Sequence, residues 1–139
     1  MVRPEVARQK IARAAARLDQ AETLVARPLA DFLADPQGRD LAAFYLFLAI
    51  QKVLDLAAHW VADAGWPAPA DGSSSFTVLA EHGEIDAGLA NGLRAAAGLR
   101  NRIAHGYANL DHGRLHAEFE QGITTLRRFL AAVAAAAGF

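Results

Sequence analysis

The sequence predicts an all-α protein, an up-down four-helix bundle with a short extra helix, and two observations lead to this class. Hydrophobic residues make up 53% of the 139 positions, and the many alanines and leucines among them lose little freedom on entering a helix. Four long segments also repeat their apolar residues at spacings of three, four or seven and are joined by short connections, as in helical bundles. The length suits one domain, which we expect to span residues 1–139.

The first predicted helix begins at Pro4, because proline suits the first turn of a helix. Ile11, Leu18 and Val25 recur every seven residues and give this helix one apolar stripe. We expect the helix to end before Pro28, since the residue that precedes a proline avoids helical angles.

The second predicted helix follows a short irregular segment and runs from about Asp40, placed at its N-cap, to Ala64. Its run LAAFYLFLAI, residues 41–50, is apolar on every side but too short to span a bilayer, which takes about 20 residues. A helix that is apolar all round is covered all round. We therefore expect one side to face the core of the bundle and the other side to face a second subunit, which indicates a homodimer.

Three further elements complete the predicted bundle. A loop rich in glycine, proline and serine occupies residues 65–75, and a short helix over Phe76–Glu81 follows it. A third long helix begins at Asp86 and reaches about Arg102–His105, and Asp111 caps a fourth. An alanine-rich tail continues the fourth helix to a glycine, as is common at helix ends.

Composition narrows the possible chemistry. The chain contains no cysteine, which excludes disulfides, thiolate metal sites and cysteine nucleophiles. The N-terminal region has charges throughout, so we expect no secretory signal and a cytoplasmic location. His112 and His116 have the spacing of metal ligands, but two ligands without a third are insufficient; we interpret them as surface histidines and expect no metal and no cofactor. With a net charge of −1, any contact with nucleic acid needs a local basic patch.

The stretch GLRNRIAHGYANLD, residues 98–111, differs from the helical segments around it by its density of polar side chains. Arg100 shares the apolar stripe of the third helix, although arginine is rarely fully buried unless it is paired. Asn101 and His105 are four apart and share another face, whereas Arg100 and His105 are five apart and point well away from each other in an ideal helix. Either the helix ends before His105, which Gly106 would permit, or two chains bring their copies together in a shared cleft.

These residue types match the needs of RNA cleavage. Histidine can act as base or acid near neutral pH, and arginine offers a planar fork of donors to phosphate oxygens. A local basic patch on this otherwise neutral chain is expected from four residues: Arg94, Arg100, Arg102 and Arg114. The same spacing also fits a helix cap with a solvated face, so the pattern alone leaves both interpretations open.

The motif RNRIAHGY, with Arg100, His105 and Tyr107, resembles the R-x4-H-x-Y signature of HEPN-domain toxins of the HepT type. The resemblance covers about residues 5–135. It includes the polar Gln51 and Asp55 in the apolar second helix, the loop GWPAPA, the segment FTVLAEHGEID and the N-L-D that follows the motif.

The resemblance implies a HEPN-like fold and a homodimeric, metal-independent ribonuclease whose site lies at the dimer cleft. Arg100 would hold the scissile phosphate, Asn101 would support the site and His105 would act as general base or acid, leaving a 2′,3′-cyclic phosphate. Beside these motif residues, Arg94 and Arg102 of the basic patch would support RNA binding. The resemblance further implies a minimal nucleotidyltransferase antitoxin, which would neutralise the toxin by transferring AMP from ATP to Tyr107.

Two other hypotheses follow from the sequence. The chain could be a non-catalytic, dimeric helical module whose Arg100 and His105 only bind a nucleotide or a partner protein. It could also be a family member that has lost its activity. In either case the chain would cleave no RNA, whereas the toxin hypothesis predicts cleavage that depends on His105.

Overall fold

The computed structural model describes residues 3–139, apart from the Tyr107 side chain. Within these residues the regular structure is entirely helical, with one 3-10 turn at Tyr107–Asn109. The α-helices are, in chain order, α1 (Pro4–Val25), α2 (Leu29–Leu33), α3 (Pro36–Asp63), α4 (Ser74–Glu81), α5 (Ala87–Gly106) and α6 (His112–Ala136).

The four long helices α1, α3, α5 and α6 form the bundle that the sequence predicts. Helix α4 is the predicted short extra helix and begins two residues earlier than expected, at Ser74. Helix α2 is a further short helix, in a segment that the sequence predicts to be irregular. Its side chain Phe32 is fully buried in the core, so packing of one aromatic ring accounts for a helix of five residues that intrinsic propensity alone would not sustain.

Helix starts follow the capping chemistry, with one correction. Helix α3 begins at Pro36 and not near Asp40, because Asp35 accepts a hydrogen bond from the Gly38 backbone N–H at 3.1 Å and serves as the N-cap. At the start of α6 the prediction is confirmed: the carboxylate of Asp111 accepts from the Arg114 backbone N–H at 2.9 Å.

Helix α3 lies at the centre of the bundle and contacts each of the other five α-helices. Its Trp60 ring lies 6.2 Å from Phe129 of α6, which in turn makes an edge-to-face contact with Phe76 of α4 at 5.4 Å between ring centroids. These three rings are buried, so they join three helices into one core.

Helix α3 is also the one described helix whose length and composition would suit a membrane span, with a mean hydropathy of 1.7 over its most apolar window. Its place at the centre of the bundle accounts for much of this apolar character, since 44% of that window is buried.

The opposite face of α3 is uncovered in the single chain. Leu41 is 44% exposed and Phe44 is 50% exposed, while Phe47 and Leu48 are half-buried. We call these four residues the outer face of α3. The sequence predicts this two-sided arrangement, in which one side meets the core and the other is free to meet a second subunit.

Candidate active site

The candidate catalytic residues lie on the last two turns of α5. The helix continues through Gly106 before the 3-10 turn begins, so Arg100 and His105 belong to one unbroken helix. Of the two alternatives left by the sequence, an early helix end is therefore excluded. Five residues of regular helix separate the two side chains by about 140° around the axis, and they leave α5 in different directions.

Arg100 is half-buried and points towards α3. Its Nε donates a hydrogen bond to Oε1 of Gln51 at 3.1 Å, and its Nη1 donates to Oδ1 of Asn101 at 3.1 Å. The guanidinium carbon lies 4.9 Å from the centre of the Phe47 ring, within the range of a cation–π contact. The chain itself therefore fixes the direction of this arginine.

The polar contacts extend beyond Arg100 along α3 to α1. Nε2 of Gln51 donates to Oδ1 of Asp55 at 3.3 Å, and Nζ of Lys10 lies 3.5 Å from Oδ2 of Asp55. We call Lys10, Asp55, Gln51 and Arg100 the polar relay. It connects the N-terminal helix to the motif on α5.

His105 and Asn101 are exposed and face away from the core. Together with Arg102 they line a groove between α5 and α6 with a volume of about 910 Å³, at whose base lie Leu46 and Ile50 of α3. Many of the lining residues are small or apolar, and α6 adds the polar side chains of Glu118 and Gln121 to those of the motif. This cleft is wide enough for a nucleotide or for a segment of another chain.

The four arginines of the predicted basic patch are only partly brought together. Arg102 and Arg114 both line the groove, but Arg114 forms an ion pair with Glu118 at 2.9 Å. That hydrogen bond and the adjacent negative charge raise the pKa of Arg114. Arg94 is absent from the groove lining and donates instead to Oγ1 of Thr77 on α4 at 2.6 Å. We conclude that Arg102 is better placed than Arg94 to meet RNA in this groove.

Tyr107 opens the 3-10 turn that follows α5. Its side chain, the predicted site of AMP transfer, lies outside the described residues. Its backbone position is two residues after His105, which places any modification of this residue close to the motif along the chain.

The two histidines at the start of α6 are half-buried, so their interpretation as surface residues is only partly correct. His116 Nε2 lies 2.8 Å from the backbone oxygen of Arg27, and the rings of His112 and His116 contact Phe32. Burial, with a smaller contribution from the positive charge of Arg39, lowers the pKa of His112. Across the described residues, no group of three or more potential metal ligands occurs.

Sequence reasoning assigns no role to Gln51 or Lys10, although the structure places Gln51 directly against Arg100. It interprets Phe47 as a packing or dimerisation residue, and the structure adds a contact of its ring with Arg100. A signal for Gln51 was present, because it is the first polar residue after the apolar run 41–50 and lies four residues before Asp55. This spacing puts the two side chains on the same face of a helix. The sequence around Lys10 has no such signal, because the contact of Lys10 with Asp55 depends on how α1 packs on α3.

The family model described as Ribonuclease HepT-like matches residues 12–133. The chain belongs to the HepT-like ribonuclease family. The matched residues include α3, α5 and the whole R-x4-H-x-Y motif. The match confirms the resemblance on which the site residues were chosen.

Several known proteins are similar to this chain in sequence or in fold. A protein of Archaeoglobus fulgidus named "Putative RNase" is 34% identical over 88 residues, which cover 63% of this chain and 66% of that protein, just under two thirds of its length. The HEPN toxin of Shewanella oneidensis, tri-AMPylated and in complex with its MNT antitoxin, superposes with a TM-score of 0.86 and 22% identity over 94% of this chain and 97% of that one. A mutant MntA–HpeT toxin–antitoxin structure gives a TM-score of 0.85 and 22% identity over 94% and 98%. The predicted HEPN-like fold is thereby confirmed.

Proposed function

We propose that this HepT-like chain is the ribonuclease toxin of a HEPN/MNT toxin–antitoxin pair, acting in the cytoplasm as a homodimer of one domain per chain. The observation that carries the proposal is the end of α5, where a family motif supplies a fixed arginine on one side and an exposed histidine at a groove on the other. A phosphate ligand and a proton-transfer group are what RNA cleavage requires.

A homodimer completes the site. Since α5 is continuous through Gly106, one chain directs Arg100 and His105 away from each other, and two copies are needed to aim both at one phosphate. The outer face of α3 offers an apolar surface for this association, and its Phe47 is in contact with Arg100. Association through this face would bring Arg100 to the subunit boundary.

The cleavage step needs no group beyond the protein and the RNA. His105 takes the proton of a ribose 2′-hydroxyl, the 2′-oxygen attacks phosphorus, and the bond from phosphorus to the 5′-oxygen breaks. His105 then passes this proton to the departing 5′-oxygen, and the product strand ends in a 2′,3′-cyclic phosphate. Arg100 and Asn101 bind the phosphate oxygens, on which negative charge builds up in the transition state.

Neutralisation by AMP transfer to Tyr107 is the second part of the proposal. The Shewanella oneidensis toxin with a similar fold is described as tri-AMPylated and bound to an MNT antitoxin, which supports a nucleotidyltransferase partner for this chain. An AMP group two residues from His105 would place a phosphate and a bulky nucleoside beside the RNA site. Charge repulsion and steric exclusion would then both oppose RNA binding.

The catalytic proposal is tested by incubating the unmodified chain with RNA in the presence of EDTA. We expect cleavage with 2′,3′-cyclic phosphate ends, and loss of cleavage by about a thousandfold in His105→Ala. His82→Ala is the matched control, since His82 is also exposed but lies at the end of α4. Cleavage that stops in EDTA contradicts metal independence, and no cleavage by the unmodified chain favours the binding-module hypothesis.

The modification is tested by intact mass and peptide mapping of the chain produced with and without its nucleotidyltransferase. We expect added AMP on the Tyr107 peptide only in the co-produced sample, and none in a Tyr107→Phe variant. An unchanged mass beside a demonstrably active transferase would contradict this mode of neutralisation while leaving the cleavage assay to decide on the enzyme.

A further inference from the structure

Arg100 is held by a polar contact that the R-x4-H-x-Y motif does not contain. We infer that Gln51 is a positioning residue, which orients Arg100 for the phosphate and is itself oriented by Asp55 and Lys10; this inference rests on the proposed function. The residues of the relay come from three different helices, α1, α3 and α5. Their alignment is therefore a product of the fold.

The direction of each hydrogen bond in the relay follows from chemistry. An ionised Asp55 only accepts, so the amide nitrogen of Gln51 must face it, as observed at 3.3 Å. The amide oxygen of Gln51 is thereby turned towards Arg100, whose Nε can only donate, and the observed distance is 3.1 Å. Lys10 lies 3.5 Å from the other oxygen of Asp55. Its positive charge stabilises the Asp55 carboxylate, which in turn orients Gln51.

The described hydrogen bonds of Arg100 use only some of the N–H groups of its guanidinium. Arginine has five N–H groups, and the described contacts engage one at Nε and one at Nη1. The Nη2 group and the second N–H of Nη1 make no hydrogen bond among the described contacts, and in the proposed complex these groups would donate to phosphate oxygens. Phe47 covers a face of the same group, so rotation about the last side-chain bonds is opposed by both a hydrogen bond and a ring.

Removing the amide should therefore lower the rate without removing the charge. In Gln51→Leu the arginine keeps its charge but loses its orientation, and we expect kcat on a fluorogenic RNA to fall about tenfold while KM changes less than about threefold. Gln9→Leu makes the same chemical change at an exposed position of α1 and should leave both constants unaltered.

A swap variant separates positioning from general damage to the structure. Gln51→Glu alone puts two carboxylates side by side and should reduce kcat. Combined with Asp55→Asn, the carboxylate at 51 accepts from Arg100 and from the amide at 55, so we expect kcat to recover to within about threefold of the wild type. A merely structural role would give losses of kcat that follow the melting temperature and no recovery in the double variant.

The Nε–H signal of Arg100 in nitrogen-15 NMR reports the contact without any cleavage. We expect slow hydrogen exchange in the wild type and in the swap variant, and faster exchange in Gln51→Leu. An exchange rate unaffected by Gln51→Leu, or an unchanged kcat, overturns the inference, as does a swap that restores slow exchange but not kcat. If the wild type cleaves no RNA, the proposed function fails separately, and the exchange rates alone decide whether Gln51 holds Arg100.

Discussion

The two sides of the α5 C-terminus differ in how their functional side chains are held. On the side that faces α3, Arg100 is half-buried, bonded to two side chains and covered by Phe47. On the side that faces the groove, His105 is exposed. One chain thus fixes the proposed phosphate ligand and leaves the proposed proton-transfer group at a surface. Under the proposed function, the second copy or the RNA itself would complete the surroundings of His105.

The strongest way to break this comparison is to prevent association through the outer face of α3. Phe44 is half exposed, so Phe44→Asp should leave the bundle folded but place a charge in an apolar contact, and we expect a monomer whose RNA cleavage falls by about a hundredfold or more. Light scattering gives the mass, circular dichroism the helix content and a cleavage assay the rate.

Phe139→Asp provides the matched control for this variant. Phe139 has nearly the same exposure, 49% against 50% for Phe44, but it lies at the C-terminus under the guanidinium of Arg8. A Phe44→Asp chain that stays dimeric and active would place the subunit contact elsewhere.

Mixing two inactive variants tests whether the two sides of α5 act across chains. In a mixed dimer, the His105→Ala copy still has Arg100 and the Arg100→Ala copy still has His105. If each site pairs the arginine of one copy with the histidine of the other, one of the two sites in the mixed dimer is intact. After unfolding and refolding together, about half of the dimers are mixed and each has one of two sites, so about a quarter of the wild-type activity should return. If each site is built within one chain, the mixed dimers should show no RNA cleavage. The two variants refolded separately give the background rate of cleavage.

Stability sharpens the comparison without an activity assay. Arg100→Ala leaves the half-buried amide of Gln51 without its donor, and we expect the free energy of unfolding to fall by about 1 kcal/mol. His105→Ala should change it by less than about 0.5 kcal/mol, because an exposed side chain gives up little on removal. Urea unfolding at neutral pH measures both values, and equal losses for the two variants would contradict the difference in how they are held.

The smallest expected effect is a change of stability with pH that comes from His112 at the start of α6. Burial and Arg39 lower the pKa of His112 in the folded chain below its ordinary value of 6.5, so the unfolded chain binds more protons as the pH falls through that value. The stability that comes from a neutral His112 is therefore complete above about pH 7 and decreases towards the lower folded pKa. His112→Gln should reduce the drop in melting temperature between about pH 7 and pH 5, and an unchanged drop would assign it to other groups.

The sequence was sufficient for the parts that depend on local chemistry. Pro4, Asp111 and the apolar spacings predicted helix starts and faces, and the R-x4-H-x-Y motif led to the family. Helix α2 was missed because Phe32 stabilises it through tertiary burial, and Asp40 was chosen over Asp35 because both are acceptable caps within a few residues. The contact of Gln51 with Arg100 joins residues 49 positions apart, a separation at which a single sequence carries no pairing information.

The uncovered face of α3 has a consequence for how the proposed toxin responds to its own abundance. If only dimers cleave RNA, the rate at low abundance rises with the square of the chain concentration. A few molecules that escape modification would then remain mostly separate and harmless, while a modest surplus would produce a disproportionate increase in RNA cleavage. Dimerisation through the apolar surface around Phe44 would in this way keep RNA cleavage low when expression fluctuates only slightly.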